Sequence, residues 1–116
     1  MRHKKGNSKL GLPTDQRLAL IKNTTKALIL HKKIKTTNAR AKQVSKYVEK
    51  IITKAKKNDL HSRREVFRLI QDKKIVDIIF KNVIPQCQNR NSGYTRILKY
   101  GIRRGDAANI SVLELI

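Results

Sequence analysis

Tryptophan is absent from this sequence, cysteine and methionine occur once each, proline twice, and Asp and Glu together number 8. With Cys87 as the sole cysteine no intramolecular disulfide can form, which suits a reducing compartment. Zinc lacks its customary ligands, because His3, His31 and His61 follow no spacing that would set two of them on one helix face. No run approaches the roughly 18 consecutive apolar residues of a membrane span, and no apolar segment follows the basic N-terminus. The expectation is a soluble, unprocessed, intracellular protein with no membrane partner. Phosphate-cradling glycine motifs are missing too: Gly93, Gly101 and Gly105 lie in a strand-rich tail, not between a strand and a helix. Asp15, Asp59 and Asp72 stand where helices would begin, so few carboxylates remain for acid–base work. Cys87 reads as an inert, partly buried thiol. No enzyme activity, cofactor, metal or small-molecule substrate is expected.

Cations are what the chain has in plenty. Lys and Arg number 28, giving +20 at pH 7 in 116 residues, a charge that opposes compaction unless a polyanion neutralises it. Yet 39% of residues are hydrophobic and fall in periodic runs, which excludes a wholly disordered basic tail. A chain of this length supports one modest core. The reading is a single folded domain over residues 14–116, preceded at 1–13 by an extended basic arm, "MRHKKGNSKLGLP", that contains no acid.

Periodicity divides the domain. A helix is expected from about Asp15 to His31, capped by Thr14 or Asp15, with Leu18, Ile21, Thr25 and Leu28 inward. After the link "KIKTT", Thr37 or Asn38 caps a second helix whose apolar face is Ala41, Val44, Val48, Ile51, Ile52 and Ala55. Lys42, Lys46, Lys50 and Lys54 form a ridge beside that face, either a plain solvated surface or one turned to phosphate. Asp59 caps a third helix with Val66, Phe67 and Ile70 as core. Asp72 caps a fourth that buries Ile75, Ile78, Ile79 and Val83 and stops before Pro85. Beyond it the period becomes two. Tyr94, Arg96, Leu98 and Tyr100 face one side of a strand and Thr95, Ile97 and Lys99 the other; "RRGDAAN" connects to a second strand at Asn109–Leu115. Ile34–Thr36 can add a third. The fold class is α+β: about four helices on a small two- or three-stranded sheet.

Basic side chains occur in every segment except the last strand, so a binding face would be assembled from several elements plus the arm, as a large nucleic acid requires. The candidates are Arg2, His3, Lys4, Lys5 and Lys9 in the arm, Lys32, Lys33, Lys35, Thr36, Thr37 and Arg40 around the first link, and Arg63 and Arg64 in the third helix. "NRNSGYTRILKYGIRRGD" adds Arg90, Gly93, Tyr94, Thr95, Arg96, Lys99, Arg103 and Arg104. Arginine forks grip phosphate in two places at once, and Tyr94 and Tyr100 can stack on unpaired bases or pack against the helices. A nucleoid-associated or transcription-related DNA-binding module is the alternative, although no helix stands out as a recognition helix.

"MRHKK", "LILHKKIKTTNARAKQVSKYVEKIITKAK", "RR" before "DKKIVDIIF", "SGYTRILK", "RRGDAAN" and "LELI", taken in order, resemble the bacterial-type large-subunit ribosomal protein seventeen family from end to end. The resemblance implies a non-enzymatic α+β protein bound to large-subunit ribosomal RNA near the polypeptide exit region. Neighbouring large-subunit ribosomal proteins would be its partners, in a cytoplasmic ribosome and without self-association. It carries particular weight at Arg2, His3, Thr36, Thr37, Arg63, Arg64, Gly93, Tyr94, Thr95 and Arg96. The chain departs from the family pattern at Ser92, where a second glycine is usual.

Overall fold

The structure is a computed structural model that describes residues 10–116; the expected arm lies almost wholly outside them. The first helix, α1 (Thr14–His31), begins behind Pro13, whose ring fixes φ at −57°. Neither Thr14 nor Asp15 caps it: they stand inside the first turn, one and two residues after the cap position, and Arg17 N–H donates to Pro13 O at 2.9 Å. Asp15 there favours the positive end of the helix dipole. The helix ends at Lys32, left-handed at φ 64°, whose N–H closes on Leu28 O at 2.7 Å. Thr25, Leu28 and Ile29 are buried, the Thr25 hydroxyl satisfied by Ile21 O at 2.8 Å. Leu18, expected inward, is 48% exposed because the first turns reach beyond the core.

A short strand, β1 (Lys33–Thr37), leads into α2 (Asn38–Ala55), and Thr37 Oγ1 accepts Arg40 N–H at the junction. The buried residues of α2 are the six its periodicity selects, Ala41, Val44, Val48, Ile51, Ile52 and Ala55. Each fully buried Val or Ile contributes about 1.5–3 kcal/mol relative to exposure. This helix is central, packing on α1, on α3 (Leu60–Ile70) and on all three strands.

Asp59 opens α3 with a reciprocal cap: its carboxylate accepts Ser62 N–H at 2.7 Å, and Asp59 N–H donates to Ser62 Oγ at 3.0 Å. Val66 and Ile70 are buried, but Phe67 is 41% exposed. The inward line of this short helix is Ser62, Val66 and Ile70, four apart, and Phe67 is rotated off it by one position. Asp72 caps α4 (Lys73–Ile78) by accepting Lys74 N–H at 3.0 Å. Ile75, Ile79 and Val83 are buried and Ile78 is partly so.

The chain does not leave helical conformation before Pro85. A π-helical segment, Ile79–Val83, passes into α5 (Ile84–Cys87), with Pro85 in the first turn. The π segment widens the ladder just ahead of it, with Ile84 N–H donating to Ile79 O five residues back, and so accommodates a residue that has no N–H to give. The extension carries Cys87 into the core.

The sheet is antiparallel in the order β1, β3 (Asn109–Leu115), β2 (Thr95–Ile102), so the last strand is central. The register sets Ile34, Leu113 and Ile97 level on the inner face, and Lys33, Glu114 and Arg96 level on the outer one. Leu113 is fully buried; Ser111, the other buried residue of β3, donates to Asn38 Oδ1 at 3.0 Å. Between Lys99 and Gly101 the register shifts by one residue, leaving Tyr100 as a bulge. Four helical stretches on three strands give the α+β class expected.

Tyr94 corrects the strand reading. It precedes β2, is only 1% exposed, and does not share the outer side with Arg96 and Leu98. Gly93, at φ 69°, turns the chain so that the ring points inward.

Candidate nucleic-acid interface

The outer face of the sheet is polar at one end and aromatic at the other. Glu114, central, lies between Lys33 at 4.0 Å and Arg96, whose Nε donates to it at 2.7 Å. One level on, Lys35 stands opposite Val112, and its Nζ reaches across to lie 4.1 Å from the centre of the Tyr100 ring. A groove of about 490 Å³ runs from there between Arg40, in the first turn of α2, and Arg103, with Thr37 and Gly101 also on its walls. A wider hollow of about 710 Å³ opens beside it, bordered by Asn38, Lys42, Ser45, Lys46, Ile97 and Asn109. Two of the four ridge lysines of α2 thus adjoin the sheet.

Beyond β2 the connection is tied by Arg103, whose N–H bonds Ala108 O at 2.8 Å and whose Nε donates to Asp106 at 3.1 Å. That hydrogen bond and the Ala108 N–H hold the Asp106 carboxyl down to about 2, and the pairing raises Arg103 in turn. Gly105, at φ 103°, makes the reversal possible. Arg104 and Lys99 are exposed nearby.

Other expected residues go elsewhere. Arg63 and Arg64 project from α3, which packs on the other helices; Arg63 bonds Asp77 at 2.8 Å and lies 4.8 Å from the centre of the Phe80 ring. Thr36 points to the inner side of β1 and Lys32 is exposed at the end of α1. Arg2, His3, Lys4, Lys5 and Lys9 lie outside the described residues.

The segment Gly93-Tyr94-Thr95 performs an architectural task. The Tyr94 hydroxyl donates to Arg90 O at 3.2 Å and lies 3.2 Å from Lys56 Nζ, which also bonds Arg90 O; Ile116 N–H donates to Tyr94 O. Thr95 gives both its N–H and its hydroxyl to Glu49 Oε1, each at 3.0 Å, and its Oγ1 is 2.7 Å from Ser45 Oγ. These bonds clamp the start of β2 to α2, and the buried Tyr94 ring offers no face to a base. Burial pushes the thiol of Cys87 above its ordinary range and does the same for the phenol of Tyr47, which donates to Leu69 O at 2.7 Å.

Carboxylates complete the electrostatic picture. Glu49, Asp59 and Asp72 accept backbone N–H groups; Glu65 meets His61 and Lys54, Asp77 Arg63, Asp106 Arg103, and Glu114 Lys33 and Arg96. Among the described residues only Asp15 is left over, at the start of α1. The negative charge is consumed internally, and the excess positive charge faces outward. Among the described residues no three His, Cys, Asp or Glu side chains gather as a metal site would require, and no helix is long and apolar enough to cross a membrane.

Comparison with known proteins supplies a family. The model of a family described as Ribosomal protein L17 matches residues 20–116, which span most of α1 and every later element. The chain belongs to that family. It is 50% identical over 111 residues to the large ribosomal subunit protein bL17 of Clostridium beijerinckii, covering 96% of this chain and 98% of the relative. It is 48% identical over all 116 residues to the protein of the same name from Dictyoglomus thermophilum, with full coverage of both. A Clostridium botulinum bL17 is 49% identical over 111 residues. For a family member of this kind, the signal that sequence reading missed was Lys35 beneath Tyr100: the two are far apart in sequence and meet only across the central strand.

Proposed function

We propose that this chain is a non-enzymatic structural component of the large subunit of a cytoplasmic ribosome, binding folded large-subunit ribosomal RNA near the polypeptide exit region. The observation that carries the reading is the gathering of Lys33, Lys35, Arg40, Arg96 and Arg103 on one side of a sheet whose inner side seals the core, in a chain whose carboxylates are almost all engaged. Such a face neutralises phosphates of RNA segments that would otherwise repel one another. Arg2, His3, Lys4, Lys5 and Lys9 extend the contact as an arm ahead of the domain at 14–116, and Arg63, Arg64 and Arg90 supply further phosphate contacts from other sides. Family membership supports the ribosomal setting and, with it, single-copy assembly beside other large-subunit proteins, without a membrane or small-molecule partner.

Sedimentation of a gently lysed extract through a density gradient tests this. The chain is expected at one copy per large subunit, surviving a moderate salt wash, with cross-links to RNA of the exit region. Recovery on DNA, or in the free soluble fraction, would contradict it.

A further inference from the structure

We infer that the groove between β1 and the bulged end of β2 is a stacking site for an unpaired RNA nucleotide, with the Tyr100 ring as its platform. This deepens the RNA-binding reading above and rests on it. Of the three tyrosines, Tyr94 is buried and Tyr47 is half-buried with its hydroxyl bonded to Leu69 O, whereas Tyr100 is 64% exposed. The bulge presents it: the extra residue between Lys99 and Gly101 interrupts pairing with β3. Ile102, beside it, is 70% exposed and apolar.

The surroundings select the ligand. Lys35, Arg40 and Arg103 line the groove together with Thr37 and Ile110, and no carboxylate lines it. Of the lining cations Arg103 is bonded to a carboxylate, that of Asp106. An aromatic face next to cations matches a nucleotide, which has a flat base and an anionic phosphate a few ångströms away. Bases inside a duplex have both faces covered by neighbours, so the site takes only an unstacked one. A protein loop would have to bring its own carboxylates to meet three cations. Gly101 keeps the groove open: a Cβ there would meet nothing within 4 Å, so a larger side chain would fill the groove without disturbing the strand.

The test uses the purified chain and its Tyr100→Phe, Tyr100→Leu and Gly101→Val variants, each confirmed folded by circular dichroism. They are titrated at one fixed salt concentration with large-subunit ribosomal RNA, with a short oligoadenylate, and with an RNA duplex of equal length. Tyr100→Phe should bind as the parent does. Tyr100→Leu and Gly101→Val should each lose about 5- to 150-fold in affinity for oligoadenylate, the range expected for one base–aromatic stack, and also weaken on ribosomal RNA. Duplex affinity should not change. Because the chain has no tryptophan, tyrosine emission reports directly and should fall as oligoadenylate binds the parent but not the Leu variant. Ribosomal RNA binding with undiminished affinity in both variants, or an equal loss on duplex, would overturn the stacking site while leaving the broader reading intact. Failure of the parent chain to bind ribosomal RNA would overturn both.

Discussion

The two faces of the three-stranded sheet are built from alternate residues of the same strands, yet they differ in almost every respect. On the inner face Ile34, Ile97 and Leu113 meet in the core, and the buried hydroxyl of Ser111 is satisfied by Asn38. On the outer face the same strands show Lys33, Glu114 and Arg96, then Lys35, Val112 and Leu98, then the exposed ring of Tyr100. The difference teaches that a strand's period of two can assign folding to one set of positions and recognition to the other. Substitutions on the inner face should be read in stability, and those on the outer face in RNA affinity.

The sharpest break comes from Leu113→Ala, which empties a fully buried site and should cost about 2–5 kcal/mol, a large part of a small domain's total stability. Urea unfolding would record it as a lower midpoint. Glu49→Ala comes next. It removes the acceptor of two Thr95 bonds at the seam between α2 and β2, with an expected cost of about 1–3 kcal/mol and faster hydrogen exchange at the Thr95 amide. On the other face Leu98→Thr places a β-branched residue, which strands favour, at an exposed position and should change stability by less than about 1 kcal/mol. A Leu98 effect as large as that of Leu113 would abolish the distinction between the faces.

The smallest effect concerns pH. The Asp106 carboxyl is depressed from 3.8 to about 2 in the folded chain, so its pairing with Arg103 is present above about pH 4 and is lost as pH falls toward 2. Carboxyl resonances followed by NMR should show this titration. In Arg103→Ala the Asp106 midpoint should return toward the ordinary aspartate range.

Parts of this arrangement were written plainly in the sequence. The six buried residues of α2 follow one helical stripe, and Asp59 and Asp72 cap the helices they precede, because both signals depend only on residues within a turn or two. The helix through Pro85 was hidden, since a π-helical segment is set by packing on the core and has no local marker. Phe67 and Tyr94 were misplaced in opposite senses: Phe67, expected inward, stands one position off the Ser62, Val66 and Ile70 line of α3, and Tyr94, expected beside Arg96, is turned inward by Gly93. The proposed recognition face was legible as chemistry and not as a place. Charge counts announced a polyanion partner, whereas the meeting of Lys35, Arg40, Tyr100 and Arg103 depends on strand order, with the last strand inserted between the other two.

The most direct measurement is the salt dependence of binding between the purified chain and large-subunit ribosomal RNA, compared with a folded Lys35→Ala, Arg40→Ala, Arg103→Ala variant. If the outer face of the sheet grips phosphates, the logarithm of affinity should fall linearly with the logarithm of salt concentration. Each lost phosphate contact should make the slope shallower by about 0.7–0.9, or roughly 2–3 in all for the triple variant. A slope unchanged by the three substitutions would place recognition elsewhere on the molecule and contradict the role assigned to this face.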